Sequence, residues 1–172
     1  MGRGFHVDSE VGRLRQVIVH RPGLELSRLT RGNIGELLFD DIMWAERARE
    51  EHDAFAQALR DHGVTVRYYA ELLTEALEVS GCREFVASRI YNAFTVGPSL
   101  VEPLHELMAA SDSAELSSYL IGGVLKRDLE LPQTNRSGLL WRSLGPEDFV
   151  LAPLPNHLFQ RDNSAWVYGE SS

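Results

Sequence analysis

The strongest constraint on this chain is an ordered change of period. Leu14-Arg15-Gln16-Val17-Ile18-Val19-His20 is short, β-branched and closed by the turn pair Pro22-Gly23, which predicts a strand. From Trp44 the apolar spacing becomes helical. Trp44, Ala48, Phe55 and Leu59 recur among Glu46, Arg47, Arg49, Glu50 and Arg60, and Gly63 supplies a stop. Val64-Thr65-Val66-Arg67-Tyr68-Tyr69 then returns to β-branched and aromatic residues, a second strand. Strand, helix, strand in that order limits the fold to an α/β class built on a βαβ-type unit with a largely buried sheet.

Between Glu71 and about Asp148 the pattern is helical. Ser99-Leu100-Val101-Glu102 and Asp112-Ser113-Ala114-Glu115 both have capping-box spacing, in which a side-chain oxygen and a carboxylate three residues later satisfy free helix N–H groups. Leucines from Leu72 to Leu120, with Phe85, Ile90, Phe94 and Ile121, supply a small helical bundle of their own. Gly122-Gly123 and the stretch 132–138 read as turns or a mobile connection. Phe149-Val150-Leu151 and Ser164-Ala165-Trp166-Val167-Tyr168 return to strand composition on either side of the loop 152–163, so the sheet is expected to resume there. The chain therefore divides into 1–70, a helical insertion at 71–148, and 149–172.

With 172 residues the chain is long enough to bury a core, and its formal charge of −8 argues against a nucleic-acid partner, which needs a basic face. A single cysteine, Cys82, allows no internal disulfide, so a reducing, cytoplasmic compartment is expected. Met1 to His20 holds Arg3, Arg13 and Arg15 with no apolar run of leader length, and no stretch approaches a membrane span.

The densest polar cluster is Leu154-Pro155-Asn156-His157-Leu158-Phe159-Gln160-Arg161-Asp162-Asn163, between two apolar strand candidates. Loops held by a sheet commonly carry binding groups. Pro153 and Pro155 stiffen the approach; Asp162 has the chemistry to hold a cation by paired charge-assisted bonds, Phe159 to stack on a planar group, and Asn156 to serve a carboxylate or amide. The same residues also suit a plain turn, with Asn156 and Asp162 as braces, Arg161 as ion-pair partner and Phe159 as core. A second cluster, Glu36-Leu37-Leu38-Phe39-Asp40-Asp41-Ile42, precedes the main helix. Its acids suit acid–base work, but the simpler reading is that Asp40 or Asp41 caps that helix. The histidines at 6, 20, 52, 62, 105 and 157 are scattered, and none shows ligand spacing together with carboxylates, so no metal is expected. Cys82 falls in the helical stretch, where an inert thiol is the ordinary case.

Taken in order, these segments resemble the N-terminal portion of the bacterial arginine deiminases. The resemblance runs through Val7-Asp8-Ser9-Glu10-Val11-Gly12-Arg13-Leu14-Arg15, Val19-His20-Arg21-Pro22-Gly23 and Glu36-Leu37-Leu38-Phe39-Asp40-Asp41-Ile42-Met43-Trp44. It continues through Ala48, Glu51-His52-Asp53-Ala54-Phe55 and Tyr119-Leu120-Ile121-Gly122-Gly123, and ends on Leu154-Pro155-Asn156, Phe159 and Arg161-Asp162. It implies a fold: the first ββαβ-type blade of a five-bladed α/β propeller, the pentein of guanidine-modifying enzymes, interrupted by a helical-bundle insertion. It implies a reaction as well, L-arginine and water giving L-citrulline and ammonia through a cysteine-bound amidino intermediate, with no metal or organic cofactor.

By the same resemblance Asp162 matches a guanidinium anchor, Asn156 the holder of the substrate α-carboxylate, Phe159 a wall along the aliphatic stem, and Leu38 a contact near the α-amino end. The family's nucleophilic cysteine and its His-x-Asp are absent. Cys82 does not match by context, and His6-Val7-Asp8 has the letters but lies in the opening segment. The isolated chain is thus expected to be inactive, and to associate with a missing C-terminal part or form a homo-oligomer. Two other readings stay open: a non-catalytic module that binds guanidino compounds or docks on a partner, and a related amidinotransferase or methylarginine hydrolase.

Overall fold

A computed structural model describes residues 7, 9–37, 39–129, 139–161, 166–167 and 170–171. Strand β1 (Gln16–Val19) pairs in parallel with β2 (Thr65–Tyr68), Gln16 opposite Thr65 and Val19 opposite Tyr68. The short helix α1 (Leu24–Ser27) follows β1, and α2 (Ala45–Asp61) makes the crossover, so the strand–helix–strand expectation holds. Gly63, at φ +76°, ends that helical run in the left-handed region, where a side chain would be strained.

The buried stripe of α2 is rotated from the one its large residues suggest. Ala56 is fully buried while Trp44 is 71% and Phe55 55% exposed. Neither Asp40 nor Asp41 caps α2: the helix begins at Ala45 behind Trp44, which makes no side-chain cap, and Asp41 Oδ1 accepts the N–H of Ile42 at 2.7 Å. The acids stand too far upstream to reach the free N–H groups of the first turn.

Five helices follow: α3 (Tyr69–Leu77), α4 (Cys82–Ile90), α5 (Ala93–Val96), α6 (Pro98–Ala110) and α7 (Ser113–Gly122). Leu77, Tyr91, Leu100, Leu104, Leu116 and Leu120 form the middle of their core. One capping expectation holds for the cap residue, without the return bond from the carboxylate, and one does not hold. Asp112 Oδ1 accepts the N–H of Glu115 at 2.8 Å, but α6 opens on Pro98 after Gly97, with no side-chain cap from Ser99. Proline at the first helical position has no N–H to satisfy and a preset φ, so the helix starts two residues earlier than a Ser99 cap would place it.

After α7 the chain forms β3 (Val124–Leu125), then a 3-10 turn at Lys126–Asp128, α8 (Leu139–Ser143) and β4 (Phe149–Leu151), which pairs antiparallel with β3. Lys126, the chain's only lysine, donates to the carbonyls of Trp141 and Leu144 at 2.7 and 2.6 Å and so closes α8. Strands β5 (Trp166–Val167) and β6 (Glu170–Ser171) form an antiparallel pair. The expected return to the first sheet is therefore corrected: among the described residues β4 joins β3 and β5 joins β6, giving three two-stranded sheets and no closed barrel.

Gly122 and Gly123 are neither a loose turn nor a mobile link. A Cβ on Gly122 would stand 2.3 Å from Leu24 Cβ, and one on Gly123 would stand 2.6 Å from the carbonyl oxygen of Leu151. Gly123 is also left-handed, at φ +74°. Absence of side chains at this pair lets α7 close on α1 and on the end of β4 together. Arg28 completes the joint, bonding to Gly123 O at 2.6 Å and to Asp128 Oδ2 at 2.8 Å.

Candidate functional site

The loop after β4 is fixed at its start by the N–H of Leu154, which donates to Ile121 O at 2.8 Å at the end of α7. Pro155–Leu158 then forms a 3-10 turn. Proline in its first position presets the backbone, and the N–H of Phe159 returns to Asn156 O at 3.0 Å. Phe159 caps the turn, three residues after Asn156, and lines the cavity described below. Both are exposed, Phe159 at 60%.

Behind that turn lies a buried polar cluster. Glu25 is fully buried on α1, and its Oε1 lies 2.9 Å from His20 Nε2 and 2.6 Å from the N–H of Gly23. Burial pushes this carboxyl up, yet the bonds from His20 and Gly23 outweigh it and hold Glu25 below the usual carboxylate range. His20, at the end of β1, stands edge-to-face with His157, ring centroids 5.7 Å apart. Tyr69 packs against His157 at 4.2 Å and 74°, and lies 6.5 Å from His20, so the three rings form one cluster. Burial lowers the affinity of His157 for a proton, and the neighbouring His20 lowers it further. His20 Nδ1, Glu25 Oε2 and His157 Nε2 are buried with no hydrogen-bond partner among the described residues.

An open cavity of about 370 Å³ runs between β1, α2 and this loop, lined by His20, His52, Phe55, Phe159, Gln160 and Arg161 among others. It combines aromatic walls with imidazole and guanidinium edges. Arg161 pairs with Glu10 at 2.7 Å, an exposed contact that ties the opening segment to the loop.

Of the four residues predicted from the sequence, Asn156 and Phe159 are both exposed on this loop, Phe159 on the cavity and Asn156 outside its lining; Asp162 and Leu38 lie outside the described residues, as do His6 and Asp8. Cys82 opens α4 as a half-buried free thiol. Sequence reasoning missed the grouping of His20, Glu25, Tyr69 and His157. The one local signal was His20 five residues before Glu25 across the Pro22-Gly23 turn; the other partners come from distant segments. Among the described residues no three His, Cys, Asp or Glu gather as metal ligands, and no helix is long and apolar enough to cross a membrane.

Comparison with known proteins gives two findings. The sequence model of the arginine deiminase family matches residues 35–170. An arginine deiminase from Rhodococcus erythropolis (strain PR4) is 48% identical over 163 residues, covering 94% of this chain and 40% of the relative. The chain thus spans about two fifths of that relative's length.

Proposed function

This chain belongs to the arginine deiminase family, and from that premise we propose that it supplies the substrate-gripping loop of an enzyme that hydrolyses L-arginine to L-citrulline and ammonia. The observation that carries this reading is the 48% identity over 94% of the chain. The exposure of Asn156 and Phe159, on and just after a proline-stiffened turn, supports it from the structure.

On this reading the chain is the first blade of a five-bladed α/β propeller. Residues 1–70 and 149–172 belong to the blade, and 71–148 are a helical insertion. Asp162 accepts paired hydrogen bonds from the guanidinium, Asn156 holds the α-carboxylate, and Phe159 and Leu38 line the aliphatic stem and the α-amino end. Fixed partners at both ends of an extended substrate hold its central carbon in line for attack. A cysteine thiolate outside this sequence adds to that carbon, the C–N bond breaks and protonated nitrogen leaves as ammonia. Water then attacks the same carbon and the C–S bond breaks, releasing citrulline. The protein works in the cytoplasm, and the remaining blades or further copies cover the faces this chain leaves open.

The test is citrulline release from L-arginine. The longer protein, at the length of its relative, should turn over, and the 172-residue chain alone should not. Citrulline formation by the purified chain, lost on Asp162→Ala, would overturn the assignment of the nucleophile to another segment.

A further inference from the structure

The turn that carries Asn156 and Phe159 outward carries His157 inward, and the inward ring has no obvious chemical task. Its Nε2 is buried without a hydrogen-bond partner among the described residues. What holds it is ring packing in a three-ring cluster: Tyr69 lies at 4.2 Å and His20 at 5.7 Å, both nearly perpendicular to it, and Tyr69 and His20 are themselves 6.5 Å apart. His20 is in turn fixed by Glu25, which is itself pinned by the N–H of Gly23. A buried charged group held this way is costly to move, because shifting it strands an acceptor away from water. The sequence of contacts therefore runs from a rigid, buried carboxylate through two rings to a turn whose opposite face is exposed.

We propose that His157 is a positioning residue, a ring wedge seated against Tyr69 and His20 that sets where Asn156 and Phe159 stand. It rests on the reading of those two residues as substrate contacts. The wedge acts by shape: its buried Nε2 has no partner among the described residues, whereas two aromatic rings pack against it edge to face. Loss of the ring leaves a gap under the turn, and the turn's outer face moves with it. Since the α-carboxylate contact is made in ground state and transition state alike, its loss weakens binding and leaves the chemical step intact.

The experiment measures kcat and KM for L-arginine in the longer enzyme, with circular dichroism and thermal melting as controls for folding. His157→Ala should raise KM about tenfold, with kcat within about twofold, as expected when a bond to a charged group is misplaced. His157→Phe should recover most of the affinity. In Asn156→Ala/His157→Ala, KM should be no worse than in Asn156→Ala alone, because the second change acts through the first. If His157→Ala does not fold, Tyr69→Leu removes the face the ring leans on and carries the same expectation. A normal KM in His157→Ala or Tyr69→Leu beside a raised KM in Asn156→Ala overturns the wedge and leaves the arginine reading standing; so does additivity in the double variant. An unchanged KM in Asn156→Ala overturns the arginine reading of that residue and the wedge with it.

Discussion

At the scale of residues, Glu25, His157 and His52 make stability depend on pH in one direction. Burial holds His157 and His52 below the ordinary imidazole value of about 6.5, so in acid the unfolded chain binds protons that the folded chain refuses. Their contribution is present at neutral pH and is lost as pH falls through about 6.5 toward their folded values. Glu25 is held below its usual range, so its contribution is also lost on acidification, at lower pH. His157 faces His20, Glu25 and Tyr69, while His52 lies near Asp53, His20, Arg21 and Arg60. Thermal melts should show a Tm that is flat above about pH 7 and declines below about 6.5, with a shallower decline in His157→Phe. A Tm that rises on acidification would contradict this. None of this was legible from spacing, because His20 and His157 are brought together by tertiary packing alone; local pattern encodes only the pair across Pro22-Gly23.

At the scale of elements, the joint between α1 and the end of the helical segment depends on Arg28. Its side chain is 9% exposed and that of Asp128 14%, and the guanidinium also caps the carbonyl of Gly123 and lies over the Tyr119 ring at 5.8 Å. Removing one partner of a buried pair strands the other, so Arg28→Ala should lower unfolding free energy by about 3–5 kcal/mol in urea titration. A loss within about 0.5 kcal/mol, the ordinary range for surface changes, would mean that water screens the pair. Element identity was largely readable. β1, α2 and β2 followed from β-branched runs, a helical period and Gly63, and α7 from its Asp112 cap. Errors arose where tertiary crowding decides. Gly122-Gly123 has the letters of a flexible turn and the environment of a packed contact, and Asp40-Asp41 has the letters of a cap placed too far from the helix it would serve.

At the scale of the molecule, the chain offers a βαβ unit, a helical segment docked on it through two glycines, and a proline-stiffened loop on which Asn156 and Phe159 are exposed. Half of the candidate site could be read from the residues as a polar loop between two strands; its chemistry came from resemblance, since no spacing distinguishes a guanidinium grip from a braced turn. The most direct test is kcat/KM for L-arginine in the longer enzyme with Asp162→Ala. Losing one partner of a buried, hydrogen-bonded charge pair costs roughly 2–5 kcal/mol, so kcat/KM should fall by on the order of 30- to 5,000-fold with the fold intact by circular dichroism. A variant that keeps wild-type kcat/KM would contradict the claim that this loop grips the substrate.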